Sequence, residues 1–131
     1  MSRARDIADF VAEITDGTDT VETGYVVNGS AKAYSSFESA STFAVRQSFN
    51  SSSITDNGAG NYTINFTSSM ANDDYAPTGM AGGFRPTLFS RCLMPDGYTA
   101  GSFSFRGHWQ PSGDAYYDSD NQHIIIFGDL A

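Results

Sequence analysis

The residues best suited to chemistry lie close together in the segment DAYYDSDNQ at positions 114–122. Asp118, Asp120 and Asn121 supply oxygen ligands of the kind that Ca²⁺ prefers. A helix–loop–helix calcium site also needs a glycine at its sharp turn and a terminal glutamate, and this segment lacks both. The pattern is more typical of a solvated acidic loop, and we predict no bound metal and no other cofactor.

Aromatic side chains accompany this acidic segment. Trp109, Tyr116 and Tyr117 lie near turn signals, where an exposed ring can stack on a sugar ring or fill a protein interface. With Asp118 and Asp120 they form the candidate receptor-contact set, and the partner would be a host surface glycan or protein. The alternative use of the three aromatic residues is packing in the core or between subunits.

Residue types and spacing give no support to nucleophilic catalysis. Cys92 lies in the strand-like run TLFSRCLMP without a histidine close in sequence, so we expect a buried or half-buried thiol. His108 and His123 are isolated, and we expect them at strand ends. No two carboxylates have a spacing that singles them out for glycoside cleavage. There is neither a Ser-His-Asp signature nor a glycine-rich phosphate loop, and we predict that the protein is not an enzyme.

Composition and charge narrow the class of protein further. The chain of 131 residues suits one main domain, and its 14% aromatic residues and 13 glycines favour strands and turns. A net charge of −8 with only 7 scattered Lys and Arg argues against nucleic-acid binding. No run approaches the roughly 20 apolar residues of a membrane span. The charged start MSRARDIADF lacks an apolar signal-peptide region, so we expect synthesis in the cytoplasm.

The first residues have the periodicity of a helix. Ile7, Phe10, Val11 and Ile14 follow the spacing i, i+3, i+4, i+7, which places them on one stripe. An isolated helix of about 13 residues is marginal in water, so this stripe needs a partner. The acidic, threonine-rich residues 15–24 are predicted to be a linker. We therefore predict an attachment helix and linker over 1–24 and a second domain over 25–131.

From position 25 onward the apolar period changes to that of strands. Roughly seven or eight short strands with intervening turns predict a mainly β fold, an antiparallel β-sandwich or a barrel-like domain. A proline makes the strand at 75–83 a predicted edge strand, and PDG at 95–97 a predicted turn. The predicted strands are 30–37, 42–50, 61–70, 75–83, 85–94, 101–109 and 122–130.

Two of these runs carry more specific predictions. Phe43, Val45 and Phe49 alternate with polar residues, so one face of their strand should hold all three. Residues 52–54 should pair with residues 62–66 across the turn DNGAG, because its glycines supply positive φ. The outward side of this hairpin is formed by Asn, Thr and Ser, which suits a display or assembly surface better than an active site.

The segments VVNGSAKAYSSF and FAVRQSFNSSSITDNGAGNYTINFTSSMANDDYA resemble a module that recurs in tailed-bacteriophage tail fibres and related virion appendages. The similarity covers roughly residues 25–76, and the start SRARDIAD is also similar to such fibres. The resemblance implies a structural virion protein, usually a homotrimer, with an N-terminal attachment segment and a distal β-domain. Ile7, Phe10, Val11 and Ile14 would then bind partner copies or other virion proteins.

These expectations combine into one functional hypothesis with two alternatives. The hypothesis is a short tail-fibre or fibre-like subunit involved in host attachment and located in the virion. The first alternative is a capsid-decorating or connector protein that uses the same domain in assembly. The second is a polysaccharide-degrading tail protein, for which the chain is short.

Overall fold

The computed structural model describes residues 15–16, 19–20, 29–82, 91–109 and 115–131. The chain divides into two compact units. The first covers residues 1–30 and the second residues 31–131, so the division falls a few residues after the predicted one. Among the described residues, no helix is long and apolar enough to cross a membrane.

In the first unit, the described residues form a small hairpin. β1 (Thr15–Asp16) pairs antiparallel with β2 (Asp19–Thr20), with Thr15 opposite Thr20. The segment predicted as a linker therefore contains paired backbone. The predicted helix with its stripe of Ile7, Phe10, Val11 and Ile14 lies outside the described residues.

In the second unit, the described residues form an antiparallel β-sandwich, which confirms the predicted mainly β fold. The strands follow the hydrogen-bonded order β4-β3-β11-β7-β8-β9-β6-β5, and the short β10 pairs with β9. The path folds into two packed four-stranded sheets, β4-β3-β11-β7 and β8-β9-β6-β5. The bounds are β3 (Ala33–Glu38), β4 (Ala44–Phe49), β5 (Ser51–Asp56), β6 (Asn61–Phe66), β7 (Ala76–Gly82), β8 (Arg91–Thr99), β9 (Ser102–Trp109), β10 (Ala115–Tyr116) and β11 (Asn121–Phe127).

The hairpin of β5 and β6 forms as the alternation and turn residues predict. Ile54 lies opposite Ile64, and Asp56 lies opposite Tyr62. Gly58 and Gly60 both have positive φ, so the expected role of the turn glycines is confirmed. Asp56 Oδ1 accepts a hydrogen bond from the Gly58 N–H at 2.9 Å, which fixes the turn locally.

The chain passes from the first sheet to the second at Asn50. This residue has a φ of 50°, a left-handed conformation that asparagine tolerates better than most side chains. Its Nδ2 donates to the Ser68 carbonyl at 3.0 Å, and its Oδ1 accepts from the Ser68 N–H at 2.7 Å. Asn50 thus fixes the corner where β4 of one sheet continues into β5 of the other.

The prediction that Phe43, Val45 and Phe49 share one face of β4 is wrong, because the strand contains a β-bulge. The register changes between Ser36 and Phe37, so Val45 lies opposite Phe37 whereas Phe49 lies opposite Tyr34. An extra residue in one strand reverses the alternation beyond it. Phe49 therefore stacks on Tyr34 with ring centroids 5.9 Å apart and stays 54% exposed, while Phe43 packs against the core.

The predicted turn at 95–97 is also wrong, because β8 continues through it. Asp96 is the extra residue of a bulge, since Pro95 lies opposite Phe105 and Gly97 lies opposite Ser104. A bulge absorbs the turn-forming residues without reversing the chain. The reversal follows at positions 100–101, between β8 and β9.

β7 is the last strand of the first sheet, and the part that holds Pro77 is an edge, as the proline predicts. It pairs with β11 along its whole length but with β8 only at Met80–Cys92 and Ala81–Arg91. Continuing this register would place Pro77 directly opposite Pro95. Because proline has no N–H, neither strand can donate there, and β7 and β8 separate.

The core is a single cluster of buried hydrophobic side chains from both sheets. Aromatic rings connect the layers: Phe37 of β3 lies 5.1 Å from Tyr62 of β6 and 6.1 Å from Phe105 of β9, centroid to centroid. The members are Ala33, Phe37, Ile54, Tyr62, Ile64, Phe66, Met70, Tyr75, Phe103, Phe105, Ile124 and Ile126.

Replacing a core aromatic residue should destabilise the sandwich far more than the same replacement on its surface. Phe105 is 0% exposed, so we expect Phe105→Ala to lower the free energy of unfolding by about 3–5 kcal/mol. Phe49→Ala is the matched control and should cost less than about 1.5 kcal/mol. Urea denaturation measures both values. Equal losses would contradict the assignment of the core.

Candidate binding surface

Asp118 fastens the loop after β10 to the hairpin of β5 and β6. Its Oδ1 accepts a hydrogen bond from the Tyr62 hydroxyl at 2.5 Å and another from the Gly60 N–H at 2.8 Å. Gly60 has a φ of +64°, and a Cβ there would lie 2.6 Å from the Tyr117 N. Only glycine therefore allows the loop to approach this closely.

Ser39 extends this contact into a buried polar network. Its Oγ accepts from Gln122 Nε2 at 2.6 Å and from the Ser119 N–H at 3.0 Å, and it lies 2.7 Å from the Tyr62 hydroxyl. A phenol has one proton, and a carboxylate is the stronger acceptor, so Tyr62 donates to Asp118. The network thereby joins β6, β11 and the loop before β11.

The environment of Tyr62 favours its neutral form. Burial, followed by the hydrogen bond to the Asp118 carboxylate, raises the pKa of Tyr62 to about 12. An ionised phenolate would lose the proton that Asp118 accepts and would face that carboxylate across 2.5 Å. The network is therefore a structural connection rather than a source of acid–base chemistry near neutral pH.

The outer side of the second sheet carries a regular array of uncharged polar side chains. Thr55 lies opposite Thr63, which lies opposite Ser104, and the Thr63 and Ser104 hydroxyls are 2.9 Å apart. Asn65 Nδ2 donates to Ser53 Oγ at 3.0 Å and to Thr55 Oγ1 at 3.2 Å. We call this array the hydroxyl–amide face, and it consists of Ser53, Thr55, Thr63, Asn65, Ser102 and Ser104.

An arginine with an aromatic partner lies beside this face. Arg106 follows Ser104 on the outward side of β9, and its Nη2 lies 2.9 Å from Asp96 Oδ2. Its Nη1 donates to the Tyr116 hydroxyl at 3.1 Å, and its Cζ lies 5.0 Å from the centre of the Tyr116 ring. These two partners, Tyr116 first, raise the pKa of Arg106, and the pair with Asp96 leaves this corner without net charge.

The structure brings several of the candidate receptor-contact residues into one region. Tyr116 is 39% exposed and Tyr117 is 38% exposed, and both precede the anchored Asp118. Asp120 lies close enough to the Glu38 carboxyl group for the two negative charges to repel each other. The backbone of Trp109 lies in β9 opposite Ala115 of β10, so Trp109 belongs to a strand rather than a loop tip.

The cysteine and the two histidines have defined positions in the sheets. Cys92 lies directly opposite His108 across β8 and β9. His123 lies in the middle of β11, opposite Ser36 on one side and Met80 on the other, and not at the expected strand end. The described ranges contain no group of three or more His, Cys, Asp or Glu residues that could hold a metal ion.

Sequence reasoning missed the residues that organise this surface, namely Arg106, Asp96, Tyr62 and Ser39. Arg106 had a usable signal, because it continues the outward alternation of Ser102 and Ser104 in GSFSFRGHW. The partnership of Ser39 with Ser119 spans 80 positions, and no local pattern announces it. No protein family, curated protein or solved structure matches the chain in comparisons with known proteins.

Removing the Tyr62 hydroxyl should loosen the loop that carries Tyr116 and Tyr117. Tyr62→Phe removes the hydroxyl that donates to the Asp118 carboxylate and leaves the Gly60 N–H bond in place, so we expect a loss of about 1–3 kcal/mol in the free energy of unfolding. Tyr34→Phe on the outer side of β3 is the control and should have little effect. Equal losses from the two variants would refute the proposed role of the hydroxyl.

The same variant should also change the dependence of stability on pH. The pKa of Tyr62 in the folded protein is raised to about 12 from an ordinary value of 10, so its contribution is complete below pH 10 and is lost as the pH rises through 12. Burial also raises the pKa of Tyr75 to about 12, so the unaltered protein loses both contributions. Tyr62→Phe should lose less stability between these pH values in urea denaturation, and an identical loss would contradict the coupling.

Proposed function

We propose that this protein is a non-enzymatic virion protein of a tailed bacteriophage, a short tail-fibre or fibre-like subunit that takes part in host attachment. The observation that carries the proposal is the hydroxyl–amide face, an ordered outer surface with Tyr116 and Arg106 beside it. The most distinctive carboxylate, Asp118, holds the loop in place through Tyr62 and Gly60. This arrangement suits contact with another molecule, and the resemblance of residues 25–76 to fibre modules supports the virion setting.

The host contact would use Tyr116 and Tyr117 together with the adjoining hydroxyl–amide face. Hydroxyl and amide groups can exchange hydrogen bonds with sugar hydroxyls, and an exposed ring can stack on a sugar. The net charge of −8 disfavours an acidic polysaccharide, so a neutral glycan is the better partner. Asp118 would position the loop, while Trp109 and Asp120 remain candidate contacts.

Oligomerisation and attachment to the particle would use the N-terminal segment. The stripe of Ile7, Phe10, Val11 and Ile14 supports a homotrimer or a contact with other virion proteins. A trimer would present three equivalent surfaces, so a weak contact at each would be strengthened by avidity.

A role in capsid decoration or assembly is the second candidate, and the outer side of the first sheet favours it. Phe49 is 54% exposed beside Tyr34, Ile125 is 41% exposed in the neighbouring β11, and Met80 is 72% exposed in β7. Exposed apolar side chains on adjacent strands are typical of surfaces that become covered in an assembly.

Locating the chain in the phage particle tests the proposal directly. We expect mass spectrometry of separated tails and capsids to find the protein in the tail fraction, and gold-labelled antibodies to bind near the distal end of the tail. Detection in the capsid alone would favour the second candidate. Absence from purified particles would refute both.

Substitutions on the two outer sides should separate host attachment from assembly. Tyr116→Ala should reduce adsorption of phage to host cells about fivefold or more, since an aromatic contact contributes roughly 1 kcal/mol at each of several sites. Phe49→Ala should leave adsorption unchanged. If instead Phe49→Ala prevents incorporation into particles and Tyr116→Ala has no effect, the assembly role is correct.

A further inference from the structure

Arg106 lies on β9, an interior strand of the second sheet, and has a partner on each side of that strand. Asp96 comes from β8, and its Oδ2 lies 2.9 Å from Arg106 Nη2. Tyr116 comes from β10, which pairs with β9 beyond the end of β6, and its hydroxyl accepts from Arg106 Nη1 at 3.1 Å. Each terminal nitrogen of the guanidinium therefore has its own partner.

The bulge in β8 gives Asp96 this position. Pro95 lies opposite Phe105. In a regular ladder the next residue, Asp96, would lie opposite Ser104 in the hydroxyl–amide face, but the extra residue places Gly97 there instead. A bulge of this kind redirects a side chain. The carboxylate thereby reaches the guanidinium, and a residue without a side chain lies beside the Ser104 hydroxyl.

The pair of Asp96 and Arg106 is accessible from solvent. Both side chains are 35% exposed, and Met94, which lies opposite Arg106, is also exposed. Arg106 Nε, by contrast, is buried. An anion from solution can therefore reach the guanidinium only at Nη1 and Nη2, where Tyr116 and Asp96 already bind.

A guanidinium without a carboxylate partner would attract acidic sugars. Arginine binds carboxylate, sulfate and phosphate groups through charge-assisted hydrogen bonds. The net charge of −8 does not prevent such a contact locally, because exposed charges more than about 8 Å apart are largely screened at physiological ionic strength. Exclusion of acidic sugars from this surface therefore requires a negative charge at the arginine itself.

We propose that Asp96 is a specificity-determining residue: its carboxylate occupies Arg106 in place of the acid group of a uronic or sulfated sugar, and so restricts the surface to neutral sugars. Because Asp96 belongs to the same chain, its effective concentration at Arg106 is on the order of millimolar or higher, and a weakly held external acid does not displace it. This role of Asp96 deepens the proposed function and rests on the glycan contact assigned there.

Titration with methyl β-D-glucoside and methyl β-D-glucuronide tests the selection, because the two probes differ only in a hydroxymethyl group that is a carboxylate in the second. Binding is followed through the NMR signals of the Arg106 guanidinium and the Tyr116 ring. Asp96→Asn should bind the glucuronide about fivefold or more tightly than the unaltered protein does, since the guanidinium can then bind the added carboxylate. Its affinity for the glucoside should be unchanged. No gain for the glucuronide would overturn the proposal.

Matched variants separate the local carboxylate from net charge and from the shape of the bulge. Asp129→Asn removes one negative charge from the exposed segment after β11 and should leave both affinities unchanged. Asp96→Glu retains a carboxylate and should show no gain. An equal gain in either variant would overturn the role of the Asp96 carboxylate.

Two further variants locate the acid group and guard against a folding defect. Asp96→Ser removes the carboxylate with a different side chain and should give the same gain as Asp96→Asn. The pair is partly exposed, so its loss should have little effect on folding. Adding Arg106→Gln to Asp96→Asn should abolish the gained affinity for the glucuronide, and retained affinity would overturn the assignment to Arg106.

Phage adsorption distinguishes a failure of this proposal from a failure of the proposed host contact. If Tyr116→Ala leaves adsorption unchanged while Asp96→Asn gains affinity for the glucuronide, the selection by Asp96 is correct and the host contact is refuted. If Tyr116→Ala reduces adsorption while Asp96→Asn gains nothing, the host contact is correct and the selection by Asp96 is refuted.

Discussion

Most of the described architecture depends on the contacts that the Tyr62 side chain makes. Its ring contacts both Phe37 and Phe105, so it contributes to the packing that holds the two sheets together. Its hydroxyl binds Asp118, which fixes the loop that carries Tyr116 and Tyr117. One residue thus couples the stability of the sandwich to the position of the candidate binding surface. A buried hydroxyl is costly unless it is hydrogen-bonded, so the loop and the core constrain each other.

Pro77 and Pro95 impose a second constraint, because they limit which parts of β7 and β8 can pair. The strands pair in one continuous series from β4 to β5, but Pro77 and Pro95 keep β7 and β8 from pairing beyond Met80 and Cys92. The two sheets are consequently joined here by one short paired stretch, and elsewhere the chain itself crosses between them, as it does at Asn50. The core residues Phe103 and Phe105 stay buried beneath the opening between β7 and β8.

Local patterns predicted the strands well, and features that depend on distant pairing were not predictable. The alternation in NYTINF and the glycines of DNGAG specify β6 and its hairpin, because they act within a few residues. The bulge at Arg46 reverses the alternation of β4, and the bulge at Asp96 accommodates turn-forming residues within β8. Local patterns do not show either bulge, since the pairing with the neighbouring strand determines where an extra residue is accommodated. The sequence was sufficient to predict the acidic loop. The hydrogen bond between Asp118 and Tyr62 was not predictable, because only the fold brings these distant residues together. Arg106 was readable in the alternation, whereas its partner Asp96 faces it only because of a bulge.

Each of the two sheets is built from strands of two parts of the sequence, residues 25–76 and the residues that follow them. Residues 25–76 contribute β4 and β3 to one sheet and β6 and β5 to the other, and the later strands β7, β8, β9 and β11 complete both sheets. The hydroxyl–amide face itself is shared, since Thr63 comes from one part and Ser104 from the other. Residues 25–76 cannot bury their hydrophobic side without the strands that follow, because β3 pairs with β11 and β6 with β9. Both the core and the hydroxyl–amide face therefore draw on both parts of the chain. A substitution that changes the outer surface on β9 acts on a strand whose other side, with Phe103 and Phe105, is the core. Substitutions that change the candidate binding surface without disturbing the core are consequently restricted to outward positions and to the loop that Asp118 anchors.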